Sequence, residues 1–291
     1  YGDWSSDVCS SDLTHHPAGH GEAQRLEDAR RAFDGAEEIA KAKGPLHPVD
    51  DQPEAMTPEQ ISALWDYVFL PDWDNKPEAI PAVVTFGGSV IQSPVEVCHA
   101  GTITMVAAQY STGKSTISSA IWAGAYASDG DHDLLGFKVH PPPGRPRAVY
   151  IDSEQAHTET WPAWSRALQR IGKHQPGDDD GEISSTWMCF SRVPGNKRRQ
   201  ELLFDLLKDE EVFLVIIDGV ADFIDDVNDA SEVDRFMQRL RAAADERMIA
   251  VILTIHKNKG TNEVNPRGHL GSDILRRASC VLDVSKDRES G

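Results

Sequence analysis

A few stretches of this 291-residue chain carry side chains whose types and spacing could do chemistry. The first is Ala108-Gln109-Tyr110-Ser111-Thr112-Gly113-Lys114-Ser115-Thr116. It follows the pattern G-x-x-x-x-G-K-[ST], with Ala108 at the place of the first glycine. In such a loop successive backbone N–H groups face phosphates, and the helix that follows adds the partial positive charge of its N-terminus. Lys114 is expected to reach the β- and γ-phosphates of a nucleotide, and the Ser115 hydroxyl to ligate Mg²⁺. Alanine at position 108 is compatible with this only if its φ is negative. The pattern requires a strand before it and a helix after it, and the apolar run 103–107 and the helical stretch 114–127 supply both. The implied ligand is ATP with Mg²⁺.

Three apolar runs end in polar residues. Phe213-Leu214-Val215-Ile216-Ile217-Asp218 delivers a carboxylate about 100 residues after the phosphate loop, the place of an outer-shell anchor for a Mg²⁺–water cluster. Val149-Tyr150-Ile151-Asp152-Ser153-Glu154 ends in two carboxylates. Glu154 is the first choice for the base that orients and deprotonates an attacking water, with Asp152 the runner-up. The competing reading is a helix-capping cluster, since Asp152 and Ser153 both cap well. Leu253-Thr254-Ile255-His256 places a histidine where it can sense a γ-phosphate by hydrogen bonding, or else simply be exposed. After it, residues 257–272 read as a long glycine-rich loop with Lys257, Lys259 and Arg267. That composition fits a local nucleic-acid contact or a disordered loop.

These residues need elements to hold them. Apolar strands are expected at 103–107, 148–152, 187–190, 213–218, 250–255 and 280–284. Helices are expected at 114–127, 158–171, 198–208 and 231–247. Continuous apolar strands alternating with helices predict an α/β fold, a mainly parallel twisted sheet with helices on both faces. Ahead of it, Val83–Phe86, Gly87-Gly88 and Val90-Ile91 read as a hairpin.

The first thirteen residues, Tyr1 to Leu13, resemble a translated sequencing-adapter scar and are set aside; on that reading the native chain begins further upstream. Residues 14–79 are expected to be a polar helical tail and linker. It has a helix at 22–43, a linker at 44–53, and a second helix capped at Thr57-Pro58-Glu59 that carries Ile61, Leu64, Trp65 and Val68 on one face. Another linker follows at 71–81. The hydrophobic content of 40%, low for a globular chain, agrees with such a tail. Residues 80–291 form the expected ATPase domain. A net charge of −18 argues against nucleic-acid binding over the whole surface and leaves room only for a local contact. Cys9, Cys98, Cys189 and Cys280 show no C-x-x-C pair, as expected of thiols in a reducing compartment. No apolar run approaches the ~20 residues of a bilayer span, and no secretory signal is evident. A cytoplasmic protein without membrane contact is therefore expected.

The order hairpin, G-T-I-T-M-V-A-A-Q-Y-S-T-G-K-S-T, V-Y-I-D-S-E, F-L-V-I-I-D-G, T-I-H-K-N-K-G, R-G-H-L-G-S resembles the RecA-like P-loop superfamily. Within it, the likeness is to the hexameric replicative helicases of plasmids and phages related to RepA (the AAA_25 type). The resemblance covers roughly residues 80–291. It implies a homo-hexameric ATPase acting on single-stranded DNA, with Glu154 as catalytic glutamate and His256 as γ-phosphate sensor. It also implies that 257–268 lines a central DNA channel, and that a Lys/Arg finger for the neighbouring subunit lies beyond Gly291. A RecA-like regulatory or signalling ATPase that does not act on DNA is the main alternative. A small-molecule kinase is disfavoured because no Arg-rich lid is recognisable. GTP is disfavoured because Asn258-Lys259-Gly260-Thr261 lacks the acid of N-K-x-D.

Overall fold

Six strands, almost wholly apolar over most of their lengths, can be buried on both faces only if helices cover both, and that is the arrangement found. The computed structural model describes residues 56–64, 68, 79–88, 92–128, 132–173, 183–257 and 268–285. The chain divides into two units between Lys76 and Pro77. In the first unit the helix α1 (Pro58–Leu64) starts with a reciprocal cap. The Gln60 N–H donates to Thr57 Oγ1 at 3.3 Å, and the Thr57 N–H donates to Gln60 Oε1 at 2.8 Å. Ile61, Leu64 and Val68 are exposed there. Trp65 and the helix expected at 22–43 lie outside the described residues.

The second unit holds the strands β1 (Ala82–Phe86), β2 (Val95–His99), β3 (Ile103–Ala108), β4 (Phe137–Val139), β5 (Arg147–Asp152), β6 (Trp187–Cys189), β7 (Val212–Asp218), β8 (Ala250–His256) and β9 (Cys280–Val284). Its helices are α2 (Lys114–Gly124), α3 (His157–Gln169), α4 (Asn196–Leu206), α5 (Ala230–Arg247) and α6 (Gly268–Arg277). The main sheet has the order β6-β5-β7-β8-β3-β9, and each neighbouring pair runs parallel.

Period-two alternation sorts its residues between two cores. One face carries Met105, Ile151, Val215, Ile217, Val251 and Leu253 against Leu203 and Phe204 of α4, Phe236 and Leu240 of α5, and Leu270 and Ile274 of α6. The other carries Val106, Tyr150, Ile216 and Ile252 against Ile121 and Trp122 of α2 and Leu168 of α3. In α5 the buried positions Val233, Phe236, Met237, Leu240 and Ala244 follow helical spacing. The Asp229 side chain caps it by accepting from the Ser231 and Glu232 N–H groups. At the far end Arg145 donates to the carbonyls of Glu210, Val212, Arg247 and Met248, satisfying backbone oxygens at the close of α5. None of the helices among the described residues is long and apolar enough to cross a membrane.

Two expectations change. The hairpin's first arm is β1, and Gly87 and Gly88 turn with φ of 69° and 97°, but the antiparallel partner is β2. On its other edge β1 pairs with β4, giving a three-stranded sheet β2-β1-β4. Val90 and Ile91 lie outside the described residues. The run expected as loop over 257–272 ends earlier, because Gly268–Arg277 is the helix α6. Its glycines suggest a loop, but Leu270 and Ile274 sit on one helical face and bury completely against the core. Asp273 secures it by accepting from Arg277 at 2.6 Å.

Candidate nucleotide site

The parallel register lines up the strand ends that carry the polar residues. Asp152 of β5 stands opposite Asp218 of β7, and Ala108 of β3 opposite His256 of β8. Alternation puts Asp152, Asp218, Thr254, His256 and Ala108 all on the α2 face of the sheet. The strand β8 lies between β7 and β3, so His256 sits between Asp218 and the exit of β3.

Ala108 is the last residue of β3, fully buried and extended, so the condition on its φ is met. The chain then turns through Ser111 (φ 61°) and Gly113 (φ 96°). The Thr112 hydroxyl closes the turn by donating to the Gln109 carbonyl at 2.7 Å. Gly113 is the N-cap of α2 and brings no capping side chain. The N–H groups of the first turn, through Ser115 and Thr116, thus have no side-chain cap, which is the arrangement that receives an anion.

Lys114, 5% exposed, is the hub. Its Nζ lies 3.2 Å from Glu154 Oε2, 3.2 Å from Asp218 Oδ1 and 3.4 Å from His256 Nε2. His256 Nε2 is also 3.3 Å from Glu154 Oε2. Asp218, 2% exposed, accepts from Thr254 Oγ1 and from the Tyr150 hydroxyl, each at 2.6 Å. Burial pushes the Asp218 carboxyl up, but the Lys114 charge and hydrogen bonds from Thr254, Tyr150 and Ser115 outweigh it and hold it below the usual range. Glu154 follows the same balance: burial raises it, while His256 and Lys114 bring it below its ordinary value. Asp152 behaves in the opposite way. Burial, reinforced by the charges of Asp218 and Glu154, pushes it up to about 6, and its Oδ2 is buried without a partner among the described residues.

The capping reading of Asp152 and Ser153 does not hold for α3, whose N-cap is Ala156 with no side-chain bond. Ser153 instead ties β5 to β7: its N–H donates to the Asp218 carbonyl at 2.8 Å and its hydroxyl donates to the Gly219 carbonyl at 2.8 Å. Four contributors escape a reading of the sequence. Tyr150 and Thr254 orient Asp218, Ser153 joins the strand ends, and Gly219 makes room for Glu154. A Cβ on Gly219 would overlap the Glu154 carboxylate, with its Cδ only 2.7 Å away. The available signal is parity: Tyr150 and Thr254 share the strand face of the acids.

Lys257, which the sequence suggests for a DNA contact, is 6% exposed, and its ammonium pairs with Asp283 of β9. Its N–H donates to the Ala108 carbonyl at 2.9 Å. It therefore fastens β8 and β9 across the end of β3. Lys259 and Arg267 lie outside the described residues.

The profile of the AAA domain family (AAA_25) matches residues 93–262. A crystal structure of the RadB recombinase is similar at a TM-score of 0.43 and 19% identity, over 63% of this chain and 74% of that one. None of the curated proteins matches. The family match spans the phosphate loop and all four aligned strand ends, more than half of the sequence, and the chain belongs to the AAA domain family as an α/β P-loop ATPase domain.

Proposed function

We propose that this chain is the ATP-hydrolysing motor domain of a replicative DNA helicase of the plasmid and phage type. The observation that carries the hydrolytic part is the convergence of Lys114, Glu154, Asp218 and His256 within hydrogen-bonding reach beside an uncapped helix N-terminus. Lys114 serves the β- and γ-phosphates, for which Glu154 and Asp218 compete as partners. Glu154, ionised at neutral pH, accepts the proton of the attacking water. Asp152, with its carboxyl held up and one oxygen enclosed, is the weaker choice of base.

The residues fit a Mg²⁺ ion. Glu154 and Asp218 set two negative charges against one ammonium, an arrangement that repels a polyphosphate unless a cation joins it. Ser115 and Asp218 would hold it, Ser115 directly and Asp218 through its water shell. Mg²⁺ commonly binds through one or two protein groups plus phosphates and needs no preformed cage. When bound, it neutralises charge on the phosphates.

The DNA part rests on the sequence resemblance, with Lys259 and Arg267 as the remaining contact candidates and a homo-hexameric ring as the expected assembly. A regulatory ATPase that does not touch DNA is favoured by one observation: Lys257 is withdrawn into an ion pair on a chain of net charge −18. The deciding experiment is ATPase turnover with and without single-stranded DNA. Stimulation supports the motor; an unchanged rate favours the regulator. Lys114→Ala should abolish ATP binding in calorimetry, and unchanged affinity would sink the nucleotide site itself.

A further inference from the structure

The phosphate loop carries a large aromatic residue, Tyr110, that is 55% exposed, so core packing does not account for it. Its ring lies flat on the His256 imidazole, with centroids 3.8 Å apart and planes 14° from parallel. This joins the loop after β3 to the end of β8.

The histidine needs such a support. Its Nε2 meets Glu154 Oε2 at 3.3 Å and Lys114 Nζ at 3.4 Å, both longer than a strong hydrogen bond. Its Nδ1 is buried without a partner among the described residues. Among the described residues, these two long Nε2 contacts restrain the rotation of the ring only weakly. A flat stack fixes the ring plane, and that plane decides whether Nε2 faces the carboxylate and the ammonium. Tyr110 also immediately precedes Ser111, where the loop turns with φ 61°, so a change of loop conformation carries the tyrosine ring with it.

We propose that Tyr110 is a positioning residue that holds the His256 imidazole against Glu154 and Lys114, making the conformation of the phosphate loop and the orientation of the strand-end histidine one linked variable. The inference rests on the ATPase reading of the same site. Tyr110 touches the histidine rather than the reacting atoms, so its loss should lower kcat and leave ATP binding nearly intact. A stacked pair of this kind sets an effect on the order of 2- to 10-fold in kcat. The stack needs the ring and not the hydroxyl, so phenylalanine should restore what alanine removes.

The test compares Tyr110→Ala, Tyr110→Leu and Tyr110→Phe in two measurements. Steady-state ATPase assays separate kcat from KM. Proton NMR of the His256 ring, assigned by comparison with His256→Gln, reports the stack through its ring-current shift. The expected result is an upfield-shifted His256 ring in the wild type and in Tyr110→Phe, and loss of that shift with a lower kcat in the alanine and leucine variants, at nearly constant KM. Unchanged His256 resonances in Tyr110→Ala would overturn the proposal, and so would a phenylalanine variant as impaired as the alanine one. If the wild type hydrolyses no ATP at all, the ATPase reading fails, while the NMR arm still decides whether Tyr110 holds the ring.

Discussion

Glu154 and Asp152 stand two residues apart on one strand end, and their environments separate their roles. Glu154 faces Lys114 and His256 and stays ionised; Asp152 is enclosed, with one oxygen unpartnered among the described residues. Glu154→Gln should keep ATP binding and lose at least ~10²-fold in hydrolysis, because the amide keeps the shape but cannot accept a proton. If Asp152→Asn gives that phenotype in a single-turnover assay and Glu154→Gln does not, the base is Asp152. Gly219 offers a second measurement on the same carboxylate. A methyl group there must displace Glu154. Gly219→Ala should therefore lower kcat by about 10- to 100-fold, the scale expected of a misplacement near 1 Å, with ATP affinity retained. Full activity in that variant would mean that Glu154 works from a different position.

At the scale of elements, α6 and the end of β8 are where structure and expectation differ most. Leu270 is fully buried against the core that α5 also supplies. Leu270→Ala should cost about 2–5 kcal/mol in chemical denaturation, the range for a buried leucine. A change below ~0.5 kcal/mol would be the mark of a surface loop and would contradict the helix. Lys257 makes the complementary case. Its ion pair with Asp283 is buried on the lysine side and partly open on the acid side, so Lys257→Ala should lower stability by about 1–3 kcal/mol. Its effect on single-stranded DNA binding should be small. A variant of native stability with weakened DNA binding would return Lys257 to the DNA contact.

Over the whole molecule, a net charge of −18 confines any DNA contact to a local patch. Lys259 and Arg267 are the candidates. Replacing both by alanine in a ring-forming preparation should weaken single-stranded DNA binding and flatten its salt dependence by about 1.4 per subunit, near 0.7 for each phosphate no longer neutralised. An unchanged slope would move the DNA-binding patch elsewhere and strengthen the regulatory reading.

The α/β class was legible in the sequence because long apolar strands and amphipathic helices are local patterns, set by periodicities of 2 and 3.6 residues. The phosphate loop was legible for a related reason: its chemistry uses consecutive backbone groups, so the motif is contiguous from Ala108 to Thr116. Asp218, Glu154 and His256 could be nominated because each ends an apolar run. What no local pattern contains is the strand order. Only the order β5-β7-β8-β3 gathers Glu154, Asp218 and His256 from three strand ends within 3.4 Å of the ammonium that follows the fourth, and only lateral register gives Tyr150 and Thr254 the same carboxylate to hold. The pairing of Lys257 with Asp283, the stack of Tyr110 on His256 and the burial of Leu270 are decisions of the same kind. Each depends on which strands and helices become neighbours, which is settled by the packing of distant segments rather than by the residues beside them in the chain.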